Sequence, residues 1–183
     1  MKNIHKKIIW ITALLSILIT TGCGSKDEKT EKAENIRKLP EFSLENDNGQ
    51  KYTQKNFRDN VGIISFVASW CGPCGVELAE LDSIAQKYSE IIALAVTYEP
   101  PEFYRELIDS LKIKVPIFQA DSSFFVSMGV SKLPTRLLIK DGYIISQVVG
   151  APISKNSTFE DKLKDALGIK EADGDSSNSA DNR

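Results

Sequence analysis

A continuous apolar run, Val61-Gly62-Ile63-Ile64-Ser65-Phe66-Val67, leads through Ala68 and Ser69 into Trp70-Cys71-Gly72-Pro73-Cys74. Beyond it Leu78, Leu81, Ala85 and Tyr88 recur at steps of three and four. The first pattern suits a strand buried on both faces, and the second suits one face of a helix. The chain therefore folds as an α/β protein with Cys71 at a strand-to-helix junction. Pro73 falls in the first turn, where its missing N–H costs nothing. The unpaired amides and dipole of a helix N-terminus favour a thiolate there. Two cysteines in one such turn can come within the roughly 5.5 Å Cα separation that a disulfide needs. The pair reads as a reversible redox switch.

Two blander readings compete with it. A closed zinc site needs about four ligands, but the remaining cysteine is Cys23 and the single histidine is His5, both in an N-terminal segment. Removal of that segment leaves no set that could complete a metal site, so neither metal nor cofactor is expected. An inert structural disulfide would gain little from so short a loop.

Residues 1–22 read as a signal peptide. Lys2, Lys6 and Lys7 form a basic start, and Ile8 to Thr20 is an apolar run of 13 residues. That length suits an h-region and falls short of the roughly 20 residues that span a bilayer. The run ends in Thr20-Thr21-Gly22-Cys23, which resembles the lipobox of bacterial lipoproteins. The resemblance implies lipidation of Cys23 and places the mature protein on the extracytoplasmic side of the cell membrane, held by its lipid anchor. An uncleaved membrane anchor, with Cys23 as an ordinary thiol, is the alternative. Cleavage removes three lysines and no acid from 23 basic and 25 acidic side chains, leaving a net charge of −5. No basic stripe survives, so nucleic acid is not an expected partner.

Gly24 to Lys38 is polar and charged, as a flexible tether is, and residues 170–183 read as a disordered tail. Between them residues 39–169 are enough for one domain with one core. Phe42-Ser43-Leu44 and Lys51-Tyr52-Thr53 flank the hairpin signal Asn48-Gly49, and Asn56 to Asn60 reads as a short turn. Ile91 to Val96 is a second buried strand, and Glu99-Pro100-Pro101 opens a helix with Phe103, Leu107, Ile108 and Leu111 on one face. Val115 to Phe118 is short and extended, and Ser122 to Met128 is a short helix stopped by Gly129. Two further strands flank Asp141-Gly142, the strongest short-range hairpin signal. A last helix starts near Ser157, with Ser157 and Glu160 as a capping box, and ends at Gly168. Helices on both faces of a central mixed sheet follow, with an added N-terminal β-hairpin.

The Trp-Cys-Gly-Pro-Cys motif, followed about sixty residues later by Leu133-Pro134-Thr135 before a hairpin, resembles the thioredoxin fold. Leu39-Pro40-Glu41-Phe42-Ser43-Leu44 with its Asn48-Gly49 turn narrows the resemblance to the TlpA/ResA-like branch of membrane-anchored extracytoplasmic thiol–disulfide oxidoreductases. It spans residues 39–168. The resemblance implies that Cys71 attacks a substrate disulfide and that Cys74 resolves the mixed disulfide. It also implies that Pro134 is a cis-proline beside the pair. Leu133 would then offer its backbone to an extended substrate, and Trp70 would shield the pair and contact partners. Ser65 stands where thioredoxin has a buried aspartate, so Cys74 must lose its proton to another group, and Glu99 matches an acidic position of the branch that could accept it. The bland reading of Glu99 is a solvated acid favouring the helix N-terminus before Phe103.

The Gly-Pro between the cysteines is that of reducing thioredoxins, whose potential lies near about −270 mV. The expected activity is reduction of disulfides in exported proteins, apocytochrome c among the family's substrates. By resemblance, the electrons come from an integral membrane thiol donor of the CcdA or DsbD type. A thiol peroxidase on the same fold would need Thr-x-x-Cys, but Ala68 stands three residues before Cys71. A non-enzymatic binding lipoprotein would have no use for the intact pair and Leu133-Pro134-Thr135. Nothing in the composition favours a particular oligomer, and a monomer is expected.

Overall fold

The computed structural model describes residues 36–150 and 157–169, and in them the strand leading to the cysteines lies inside a six-stranded sheet. In chain order, an edge strand β1 (Arg37–Lys38) precedes a ribbon of β2 (Ser43–Glu45) and β3 (Lys51–Thr53). A 3-10 turn at Gln54–Phe57 leads to β4 (Val61–Phe66), α1 (Cys74–Lys87), β5 (Ile92–Thr97) and α2 (Pro101–Leu111). β6 (Ile117–Gln119), α3 (Ser122–Ser127), the hairpin of β7 (Thr135–Lys140) and β8 (Tyr143–Val149), and α4 (Ser157–Leu167) complete the chain order. The sheet runs β1-β8-β7-β4-β5-β6, while β2 and β3 pair only with each other. β4, β5 and β6 are mutually parallel, and α1 and α2 supply the crossovers that parallel neighbours require. β7 returns antiparallel against β4 and makes the sheet mixed.

Alternation along the central strands divides the core in two. Ile63, Ala93, Ala95 and Leu138 face α1, α2 and α4, where they meet Leu78, Leu81, Phe159 and Leu163. Ile64, Phe66, Leu94, Val96, Leu137 and Ile139 face the ribbon and α3, meeting Leu44, Phe57, Phe125 and Met128. Each fully buried Ile, Leu or Phe contributes about 1.5–3 kcal/mol, so neither face is dispensable. The run around Ile63 and Ile64 reads as apolar throughout because both of its faces are covered.

The hairpin at Asp141-Gly142 has φ of +53° and +79°, both positive as a two-residue primed turn requires. Gly129 stops α3 at φ +68°. Two expectations need correction. Arg37 and Lys38, assigned to the tether, pair with Ile144 and Tyr143, and the Arg37 guanidinium donates to the Met128 carbonyl at 2.7 Å. So short and polar a strand has no periodicity to read. On α2, Phe103 does not face the core. It is 61% exposed, and the packed residues are Tyr104, Leu107 and Ile108. The Ser157 side chain, the signal peptide, Cys23, most of the tether and the tail lie outside the described residues.

Candidate active site

The carboxyl ends of β4 and β5 and the amino end of β7 meet at one edge of the sheet, since Phe66 pairs with both Val96 and Thr135. The loop after β4 stays tied to β5 through Val67 N–H donating to the Val96 carbonyl at 2.9 Å. It then turns tightly: Cys71 N–H donates to Ala68 O at 3.2 Å, and Cys74 N–H to Cys71 O at 2.8 Å. Cys74 is the first residue of α1, and Pro73 stands just outside the helix as its N-cap. The two cysteines are disulfide-bonded with Cα atoms 5.3 Å apart. Cys71 keeps 6% of its surface in solvent and Cys74 none, so an attacking sulfur has access only to Cys71.

Pro134 follows a cis Leu133–Pro134 bond immediately before β7, and its carbonyl accepts from Gly150 N–H at 2.8 Å. Leu133 is half-buried and packs against both halves of the core. Trp70 is 67% exposed, and its indole N–H donates to the Tyr98 hydroxyl at 2.7 Å. Glu99 follows β5 and is buried. Its carboxylate accepts from Ser69 N–H at 2.5 Å and from Ser69 Oγ at 2.8 Å. Thr97 Oγ1 donates to it at 3.4 Å. The structure thus joins Glu99 to the loop two residues before Cys71 rather than to Cys74.

A second buried carboxylate escaped the sequence reading. Glu77 lies one helical turn beyond Cys74 and is 1% exposed. Ser65 Oγ donates to Glu77 at 2.5 Å, and Arg136 grips it through Nε at 2.7 Å and Nη2 at 2.9 Å. A carboxylate from the facing helix therefore stands against Ser65. Ser65 and Arg136 are direct cross-strand partners and both face α1. Burial pulls the Arg136 guanidinium toward deprotonation, but the charges and hydrogen bonds of Glu77 and Glu80 outweigh it and raise its pKa. Its plane also lies over the Phe159 ring, 4.9 Å from the centroid. The signal was present: Arg136 directly precedes the apolar run Leu137-Leu138-Ile139 of β7, and an acid interrupts the buried face of α1.

Residues 36–148 match the AhpC/TSA family. The chain belongs to the AhpC/TSA family. Among its relatives, the thiol–disulfide oxidoreductase ResA of Bacillus thuringiensis is 30% identical over 128 residues, covering 67% of this chain and 73% of ResA. ResA of Bacillus cereus is 27% identical over 149 residues, 78% of this chain and 84% of that protein. A solved Chlorobium tepidum protein assigned as thiol:disulfide interchange protein DsbE superposes with a TM-score of 0.66 at 24% identity. That superposition covers 72% of this chain and 96% of that one, and the fold is accordingly thioredoxin-like. This AhpC/TSA-family chain is a TlpA/ResA-like thiol–disulfide oxidoreductase, with Cys71 and Cys74 at disulfide distance.

Proposed function

We propose that the chain reduces disulfides in exported proteins on the extracytoplasmic side of a bacterial cell membrane, to which a lipid on Cys23 holds it. The observation that carries the reaction is the unequal access to one disulfide, 6% for Cys71 against 0% for Cys74. In the reduced state the Cys71 thiolate attacks one sulfur of the substrate disulfide. A Cys71–substrate disulfide forms, and the other substrate sulfur leaves as a thiolate and takes up a proton. Cys74 then loses its proton and attacks Cys71 Sγ, which re-forms the Cys71–Cys74 bond and releases the second substrate thiol. Two electrons pass from enzyme to substrate, with one proton from Cys74 and one from solvent, the latter matching the proton Cys71 had already lost.

The remaining site residues serve docking and loop geometry. The Leu133 backbone before Pro134 pairs with an extended segment of the substrate, and Trp70 makes the neighbouring contact. Glu99 holds the loop bearing Cys71 through Ser69 and serves as the candidate proton acceptor. The oxidised pair is reduced again by an integral membrane dithiol donor of the CcdA or DsbD type, and apocytochrome c with oxidised haem-binding cysteines is a candidate substrate. The signal peptide over residues 1–22, a tether from Cys23 to about residue 36, a domain from Arg37 to about residue 169 and a monomeric state belong to the same reading. Support comes from the basic and apolar leader ending at Cys23. Among the described residues, no helix is long and apolar enough to cross a membrane.

A Cys74→Ser variant tests the proposal. With resolution blocked, mixed disulfides on Cys71 should accumulate in the native cell and be identified by mass spectrometry. Failure to trap any partner, with Cys71 reduced and reactive, would overturn the reductase reading.

A further inference from the structure

Trp70 is exposed yet not free. Its indole has one donor and no acceptor, and that donor is spent on the Tyr98 hydroxyl at 2.7 Å. Tyr98 is itself 41% exposed, but its ring stands edge-on to Phe125, 5.7 Å between centroids. Phe125 stands edge-on to Phe66 at 4.9 Å, and Phe66 is fully buried at the end of β4. The exposed indole is thus braced to the strand that carries the redox loop. The brace runs through one hydroxyl and two aromatic contacts of the edge-to-face kind. The neighbouring pair repeats the pattern, since Glu99 holds Ser69. Two successive residues after β5 therefore fix two successive residues before Cys71. An indole on an open surface would otherwise divide its time among staggered rotamers.

We propose that Tyr98 is a positioning residue for substrate recognition: it holds the Trp70 indole in one orientation beside Cys71 as a preformed apolar edge for polypeptide disulfides. Small disulfides reach the Cys71 sulfur without using that edge. The proposal rests on the reading of Trp70 as a partner contact. A rigid, pre-oriented indole lowers the ordering cost of docking. Loss of its one hydrogen bond should weaken docking by about three- to tenfold.

Tyr98→Phe keeps the ring against Phe125 and removes only the acceptor. In the full-length chain, insulin turnover with dithiothreitol as reductant is compared with the stopped-flow rate at which the pre-reduced protein, freed of dithiothreitol, reacts with 5,5′-dithiobis(2-nitrobenzoate). The variant should raise KM for insulin by about three- to tenfold while its kcat and the small-disulfide rate stay within about twofold. The chain has two tryptophans, Trp10 and Trp70. In a Trp10→Phe background, Tyr98→Phe should therefore also lower the fluorescence anisotropy of Trp70. In a Trp70→Phe background, Tyr98→Phe should add nothing to the insulin KM. The proposal is overturned if Trp70→Phe raises the insulin KM and Tyr98→Phe does not, or if anisotropy is unchanged. A parallel fall in both substrates with a lower melting temperature also overturns it, as a structural role. If Trp70→Phe itself leaves insulin turnover unaltered, the reading of Trp70 as a contact fails first and the proposal falls with it.

Discussion

Arg136 and Glu77 form a buried fork, with guanidinium nitrogens 2.7 and 2.9 Å from the two carboxylate oxygens and side chains only 4% and 2% exposed. Removing one member leaves the other charged and away from water, at a cost of about 3–5 kcal/mol. Arg136→Met should therefore lower the unfolding free energy in urea by roughly that amount. Glu80 loses a contact too, but it is partly solvated and can hydrate. The double change Arg136→Met with Glu77→Leu should recover most of the loss, because packed apolar groups usually replace such a pair at little cost. A single variant as stable as the parent would show that water already reaches the pair.

Gly62 has a different reason to be irreplaceable. A Cβ there would sit 2.3 and 2.5 Å from ring carbons of Phe57 and 3.0 Å from the Ile92 carbonyl oxygen. Phe57 is fully buried and Ile92 O belongs to the sheet backbone, so neither can step aside cheaply. Gly62→Ala should destabilise the protein by about 1–3 kcal/mol through overpacking. The measurement is the urea midpoint, with the slope unchanged if the denatured state is unaffected.

The elements that sequence made visible are those whose signal is local. The run from Val61 is apolar throughout because both faces of β4 are covered, and Asp141-Gly142 advertises a backbone with two positive φ values. Cys71 and Cys74 are legible because their chemistry depends on spacing along the chain. Glu77 and Arg136 were not, since each looks like an ordinary charge until the register sets Arg136 opposite Ser65 and beneath α1. Tyr98 was passed over for the same reason: its meaning lies in Trp70, 28 residues away. Phe103 misled because helical spacing identifies a stripe without saying which edge of it is covered.

The link between α4 and α1 should respond to acid. Lys87 at the end of α1 and Tyr88 just after it both donate to Glu160, and these hydrogen bonds, the lysine's first, hold its carboxyl below the ordinary value of 4.5. A carboxyl whose folded-state pKa is depressed adds stability above its unfolded pKa, and that stability is lost as pH falls through the folded value. Glu160→Gln should thus lower the urea midpoint slightly at pH 7. The difference from the parent should shrink below about pH 4.5 and vanish once the folded carboxyl is protonated. The effect stays small because the pair is solvated, with 59% and 42% of the side chains exposed. A difference that persisted unchanged at low pH would point to packing of α4 rather than to the carboxylate.

Glu99 separates two contributions to the redox centre. Its carboxylate takes both the N–H and the hydroxyl of Ser69, so it fixes the backbone two residues before Cys71. In Glu99→Gln the amide oxygen can still accept from Ser69 N–H and the Ser69 hydroxyl can turn to accept from the new NH2, but the charge-assisted bond, worth about 1.5–3 kcal/mol, is lost. If that bond holds the loop in its reactive geometry, disulfide turnover should fall by about tenfold or more while circular dichroism stays unchanged. Loss of a nearby negative charge should also ease formation of the Cys71 thiolate and lower its titration midpoint in the reduced protein. Ser69→Ala keeps the N–H bond and the charge, so it should slow turnover less and leave the thiol titration close to that of the parent. Stopped-flow reduction of insulin and pH-dependent alkylation of Cys71 measure the two effects separately. If Glu99→Gln changes neither rate nor titration, Glu99 has no part in the chemistry.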